Sequence, residues 1–396
     1  MASINRASFY LIHFSFAVLL TACQSVSRAP LDVHTILYDE GFTHSDQIII
    51  ESETDIFKLE EEAKAFVKRA TSEQQEPLEQ IKALVYALFD RADFNILYDG
   101  NANTVANDTF TLKAANCLSL SIMTYALAEE AGFKAQFQDI DIPEYWTRNQ
   151  GFSMLNGHIN LRLSPKSAQT EHPFVNKGFL VDFDPLSSRN HFKKRLLSKS
   201  TVMAMFYNNK GADALINDRL DEAYAYFRKA LLVDESFEST AGNLGFLYRL
   251  KGYIKQAEES YQYALDLNPD NLTAWENLSY LYLSSGREEQ ANRILAKVEE
   301  KRASNPYFYI NLGEQKLESG DYKEAISYFK DAMALDRKRH EVYFGLAQVY
   351  FELGELDLTE HYLQLAKDFS VSVNDERRYE SKLRFLTEFN ENSILH

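Results

Sequence analysis

From residue 205 to residue 372 the chain repeats itself every 34 residues, and that period constrains its fold more than any other feature. A small residue recurs at Gly211, Gly245, Ser279, Gly313 and Ala347, each 34 positions after the one before. In a second register stand Ala223, Ala257, Ala291, Ala325 and Thr359, followed seven residues later by Ala230, Ala264, Val298, Ala332 and Ala366. A large residue lies between each of these pairs, at Phe227, Tyr261, Leu295, Phe329 and Leu363. Small residues let two antiparallel helices approach closely while the large one fills the gap. Each unit is therefore predicted to be a helix hairpin that cannot close its own core and must stack on its neighbours. Gly252, Gly286, Gly320 and Gly354 share one phase between the two helices, and Pro269 and Pro306 fall near unit boundaries where a helix must stop. Beyond the last unit, Tyr379, Leu383, Leu386 and Phe389 mark one apolar face, which predicts a capping helix within residues 373–396.

The pattern resembles the tetratricopeptide repeat, and the resemblance covers five units over 205–372. It implies an all-α solenoid whose concave groove holds an extended peptide or a helix of a protein partner.

The other end of the chain reads as an address. Residues 1–23 comprise a short start with Arg6, an apolar stretch from Phe9 to Leu20 that is too short to span a bilayer, and a small-residue site. Leu20, Thr21, Ala22 and Cys23 resemble the bacterial lipobox. That resemblance implies diacylation of Cys23, cleavage before it, and anchoring through the acyl chains. Gln24 follows in place of the aspartate that favours inner-membrane retention, so the expected location is the outer membrane, facing the periplasm. Residues 24–50, with Pro30 and no clear period, predict a tether.

A formal charge of −16 disfavours a phosphate-tracking surface, because nucleic-acid binding depends on clustered Lys and Arg that release counterions. The nearest basic patch, Lys193, Lys194 and Arg195, reads as a solvated helix face. No GxxxxGK loop, HExxH pair or CxxC pair occurs, so the sequence offers no motif for nucleotide hydrolysis, zinc or another cofactor. The two cysteines, Cys23 and Cys117, stand in different contexts and are not expected to pair.

Residues 51–200 differ in character from the repeats. Two helical patterns, Ile56–Ala70 and Leu78–Phe94, precede a loop rich in Asn, Gly and Thr. Asn116-Cys117-Leu118-Ser119 then opens an amphipathic helix that runs to Gly132. Unpaired N–H groups and the dipole at a helix start stabilise a thiolate, which is the nucleophilic form of cysteine. A base is available at His158, 41 residues on (158 − 117), within the alternating strand Asn156 to Leu163. A second strand, Gly178 to Asp184, offers Asp182 or Asp184 to orient the imidazole. Taken singly, a cysteine is a small hydrophobe, a histidine a satisfied polar residue, and strand aspartates are edge charges. Here they follow in the order of a helix-start cysteine, a strand histidine and a strand aspartate.

That order resembles the transglutaminase-like, papain-fold superfamily over roughly 100 residues of this chain. The resemblance implies an α+β domain ahead of the solenoid. It also implies acyl transfer from a carboxamide or peptide bond through a thioester: Cys117 attacks, His158 shuttles the proton, and Asp182, with Asp184 as the alternative, holds the tautomer. The Cys117 backbone N–H would contribute to an oxyanion site. Peptidase, amidase and cross-linking outcomes stay open. The sequence departs from the family in carrying Ala115 where a glycine often precedes the Asn-Cys pair. The rival expectation is a non-catalytic adaptor, in which this domain is degenerate and the repeats do the binding.

Overall fold

The structure, a computed structural model, describes residues 32–89, 97–100, 102–166, 178–183, 192–371 and 373–394. The segment expected to be a signal and lipobox, with Cys23, and the alternative aspartate Asp184 lie outside the described residues.

The N-terminal region begins at a capping box. The Ser52 hydroxyl accepts the Asp55 N–H at 3.2 Å and the Asp55 carboxylate accepts the Ser52 N–H at 2.9 Å, which starts α1 (Glu53–Phe57). The single helix expected over 56–70 is broken. Lys58 is extended, and the Glu60 N–H turns to the Asn107 carboxamide oxygen at 3.0 Å, so α2 starts afresh (Glu61–Thr71). There follow α3 (Pro77–Phe89), β1 (Leu97–Tyr98), α4 (Ala106–Leu112), β2 (Ala114–Ala115) and α5 (Cys117–Glu130). Next come β3 (Phe133–Asn149), β4 (Phe152–Pro165), β5 (Phe179–Val181) and β6 (Lys194–Leu196). The last four form one antiparallel sheet in the order β5-β4-β3-β6, while β1 and β2 pair in parallel. Lys194 and Arg195, read from sequence as a helix face, stand exposed on strand β6, where Arg195 pairs with Asp139 at 3.0 Å. The backbone of this segment extends β3, which a helix could not do.

Helix α5 is the hub of this region. It is buried on nearly every face rather than amphipathic, because α1, α2, α4 and the sheet surround it. Two of its buried hydroxyls are paired: Thr124 donates to the Leu120 carbonyl at 2.8 Å, and Ser119 accepts the Thr104 N–H at 2.9 Å.

The repeats form five hairpins: α6 (Lys199–Ile216) with α7 (Leu220–Val233), α8 (Glu238–Leu250) with α9 (Ile254–Leu267), α10 (Leu272–Ser284) with α11 (Glu288–Arg302), α12 (Pro306–Glu318) with α13 (Tyr322–Leu335), and α14 (His340–Glu352) with α15 (Leu356–Asp368). Close approach at the small residues has a direct measure. A Cβ built on Gly211, Gly245 or Gly313 would lie 2.6, 2.7 or 2.8 Å from the ring of Phe227, Tyr261 or Phe329, respectively. The four phased glycines all adopt positive φ, and in the first hairpin Asp218 (φ 57°) takes the same left-handed position. First helices pack on first helices, α6 on α8, α8 on α10 and α12 on α14, so they line the inner curve. The capping helix α16 (Val373–Ile394) buries Tyr379 and Leu386 against the last hairpin; the Phe389 side chain lies outside the described residues.

Two features join the halves. The expected tether does not extend to residue 50: from Val33 the chain makes three short 3-10 turns, Val33–Thr35, Asp39–Gly41 and Ser45–Gln47, packed on the first repeats. Phe42 stacks on Tyr224 with ring centroids 4.2 Å apart. Tyr248 donates to the Ile36 carbonyl at 2.9 Å, and Tyr224 donates to Asp39 at 2.7 Å. Aromatic burial, invisible as a period in so short a segment, makes this strap. The second feature is the β3–β4 hairpin. It turns at Gln150 (φ 47°) and Gly151 (φ 83°), the two positive-φ positions of a tight hairpin turn, and its outer half lies as an arm against α8 and α12. With the α6–α7 side chains sharing the core around α5, Val33–His396 is one compact unit and no linker separates residue 200 from residue 205.

Candidate active site

Cys117 is the first residue of α5, and Asn116 is its N-cap. The Asn116 carboxamide oxygen accepts the Ser119 N–H at 2.9 Å, and the Asn116 N–H is held by the Ala102 carbonyl at 3.0 Å. The preceding loop is also tied to the repeats, since Asn103 donates to the Phe206 carbonyl at 3.1 Å. Cys117 is a free thiol, partly exposed, with Sγ 4.0 Å from the Gly157 carbonyl oxygen.

Gly157 precedes His158 on β4. There the sheet buries His158, Ile159, Asn160 and Leu161 in succession, so both strand faces are covered. Side chains two residues apart share a face, which aims His158 and Asn160 the same way. Strand β5 pairs Val181 with Leu161, and Asp182, one residue further, comes alongside Asn160. His158 Nε2 lies 2.8 Å from one Asp182 carboxylate oxygen, and Asn160 Nδ2 donates to the other at 2.9 Å. The His158 and Asp182 side chains are only 3% and 8% exposed, so water screens this pair little.

Burial alone would lower the His158 pKa, but the hydrogen bond and charge of Asp182, and then those of Cys117, overcome it and push it up to about 10. The imidazole therefore carries its proton at neutral pH, with the carboxylate on one side and the sulfur on the other. The structure thus brings three sequence-predicted residues together: His158 is hydrogen-bonded to Asp182, and the Cys117 sulfur lies against Gly157, the residue before His158. Asn160 was missed. Its signal was a polar residue two positions after a candidate histidine, on the same face of the strand.

The outer arm forms a second polar cluster on the repeats. Arg302, at the end of α11, is 2% exposed. Its Nε and Nη2 lie 2.8 and 3.2 Å from the two carboxylate oxygens of Glu144, and its Nη1 lies 2.9 Å from Glu276. Its guanidinium also sits 4.9 Å from the Trp146 ring centroid. Asn305 donates to the Glu144 carbonyl at 2.7 Å, Ser153 donates to Asn311 at 2.8 Å, and Arg148 pairs with Glu318. The inner face of the array, expected to receive a partner, is here partly covered by the chain's own arm.

Comparison with known proteins bears on the repeats. The family described as "Tetratricopeptide repeat" matches residues 248–310 and 316–367. Among curated proteins, the human "Protein O-mannosyl-transferase TMTC3" is 29% identical over 289 residues, covering 66% of this chain and 30% of that protein. The Caenorhabditis elegans "Tetratricopeptide repeat-containing protein trd-1" is 22% identical over 149 residues, covering 37% of this chain and 19% of that protein. The chain thus spans less than a third of the length of these two relatives. Similar solved structures include a MamA crystal form (24% identity, 43% of this chain and 94% of that one, TM-score 0.24). Another is PilF of Pseudomonas aeruginosa (20% identity, 49% and 88%, TM-score 0.28). The hairpins are tetratricopeptide repeats, a scaffold that binds proteins or peptides.

Proposed function

We propose that the N-terminal region is a transglutaminase-like, papain-fold cysteine acyltransferase or hydrolase. We further propose that the chain is a bacterial envelope lipoprotein anchored at Cys23 in the outer membrane, facing the periplasm. The observation that carries the catalytic reading is the grouping of Cys117, His158 and Asp182, with a partly exposed thiol beside a buried, protonated imidazole that is hydrogen-bonded to a buried carboxylate. Cys117 Sγ, as thiolate, attacks the carbonyl carbon of a carboxamide or peptide bond. The tetrahedral oxyanion forms next to the N-terminus of α5, whose dipole favours negative charge. His158 gives its proton to the departing amine as the C–N bond breaks, leaving a thioester. Water or a second amine then attacks the thioester, His158 accepts the incoming proton, and the thiolate is regenerated. Asp182 holds the imidazole's orientation, as Asn160 holds Asp182. The repeat array supplies the protein-binding surface that brings a partner to this chemistry.

The test is the rate of iodoacetamide labelling of Cys117 in a full chain carrying Cys23→Ser, compared with the same chain carrying His158→Ala. Faster labelling of the parent near neutral pH supports a Cys–His pair; equal rates would leave the domain a non-catalytic adaptor. Metabolic palmitate labelling of wild type and not of Cys23→Ser is the matching check on the anchor.

A further inference from the structure

The sheet does not fix the backbone beside the sulfur. Strand β3 pairs Ile140 with His158 and then Tyr145 with Asn156, so the four residues Asp141 to Glu144 bulge opposite Gly157 alone. The ladder is interrupted at the residue whose carbonyl lies 4.0 Å from Cys117 Sγ. Gly157 brings no side-chain restraint of its own, since a Cβ there would meet nothing within 4 Å.

The start of the bulge is held within the sheet, the Asp141 N–H donating to the Lys193 carbonyl at 3.0 Å, and its far end is fixed by the other half of the molecule. Glu144 is held by its carboxylate on Arg302 and by its carbonyl on Asn305, and the strands beyond it are pinned through Arg148, Ser153 and Phe152. Arg302 is the node of this seat. Almost fully buried, it divides its guanidinium between Glu144 of the arm and Glu276 of α10, and without it two carboxylates would face each other unpaired.

We propose that the repeat array holds the cysteine site in register through this arm, with Arg302 as a positioning residue for His158 and Gly157. The inference rests on the Cys117–His158 reading above. Its corollary is reciprocal: an external peptide that takes the same inner-face residues lifts the arm and loosens the site, and an arm held in place by substrate weakens that peptide.

The test again uses the full chain with Cys23→Ser, reading the pH profile of Cys117 labelling together with tryptic cleavage after Arg148, which reports release of the arm. Arg302→Met removes the node. Glu144→Gln is the milder variant, since Arg302 keeps Glu276 and the fold keeps its buried pair. Both should open Arg148 to trypsin and slow labelling at neutral pH by about 5-fold or more, the profile moving toward that of His158→Ala. Arg302→Lys, which keeps charge and loses the fork, should fall between. An arm opened to trypsin in Glu144→Gln with an unchanged labelling profile would overturn the coupling. Equal protection of Arg148 in every variant would overturn the role of the clamp. Labelling that ignores His158→Ala would instead remove the cysteine–histidine reading on which the inference stands.

Discussion

Replacing Asp182 with asparagine keeps the shape at His158 and removes the charge. In the native protein the histidine is lifted from 6.5 to about 10, a preference for the protonated ring of about 5 kcal/mol at roughly 1.4 kcal/mol per pH unit. The carboxylate at 2.8 Å is the chief source of that lift, and burial works against it. With an amide in its place burial is opposed only by the sulfur, and the histidine should titrate well below its native value. Nuclear magnetic resonance of protein labelled at histidine Cε1 reads this directly, with His158→Asn assigning the signal. The same change has a stability signature. Because the folded value lies above the unfolded one, the stabilisation is complete below pH 6.5 and is lost as pH rises toward about 10. Urea unfolding of the wild type should therefore weaken by up to about 1.4 kcal/mol per pH unit across that window relative to Asp182→Asn. A native His158 that titrates near 6.5, or urea curves whose difference does not change with pH, would refute the electrostatic reading of the site.

Other perturbations follow from the packing. Phe42→Ala removes the ring that stacks on Tyr224 and should cost about 3 to 5 kcal/mol; hydrogen exchange should accelerate across residues 33–47 while α14 and α15 stay protected. Gly245→Val forces a side chain toward the Tyr261 ring, 2.7 Å from the new Cβ, and should lower the urea midpoint by the equivalent of about 1 to 3 kcal/mol, an unchanged midpoint counting against the close-approach account. Glu314, on α12 facing the arm, is pushed up to about 7 by burial, with Glu318 and Glu341 adding to the rise and Arg148 opposing it. An acid raised this way loses stability as pH climbs from 4.5 through about 7, so Glu314→Gln should raise the melting temperature at pH 8, by the equivalent of up to about 3 kcal/mol, and leave it unchanged at pH 4.

The repeats were legible because their information is local and periodic. The contact between Gly313 and Phe329 is implied by a small and a large residue at fixed phase, and it recurs. The row of Cys117, His158 and Asp182 was legible through order, helix start and strand alternation. Asp182 and Asp184 could not be told apart in sequence, because both sit on the same strand parity; the geometry described here concerns Asp182. What stayed hidden depends on distant chain. The strap has no period, and its meaning comes from tyrosines 186 to 212 residues away. Helix α5 was expected to be amphipathic, whereas the fold also buries its polar residues Ser119, Ser121 and Thr124. Nothing in the sequence around Arg302 marks it as buried; the approach of Glu144 across 158 residues explains its burial.

The strap and the arm both lie upstream of the surfaces that receive them, Tyr38 from Tyr224 by 186 residues and Arg148 from Glu318 by 170. A chain made from its N-terminus completes the sheet and its cysteine long before the arm has a seat, and must wait until α12 has been delivered to finish it. A repeat array ordinarily stabilises itself step by step between neighbours, and can lose or gain an end unit at modest cost. Here the long closures tie the ladder of hairpins to a domain made earlier. Deletions from the C-terminus should leave the arm seated until they reach α12, where Asn311 and Glu318 are lost, and should release it once they pass Arg302. If the arm sets the register of the cysteine site as proposed, completion of that site is timed by synthesis of the repeats rather than of its own domain.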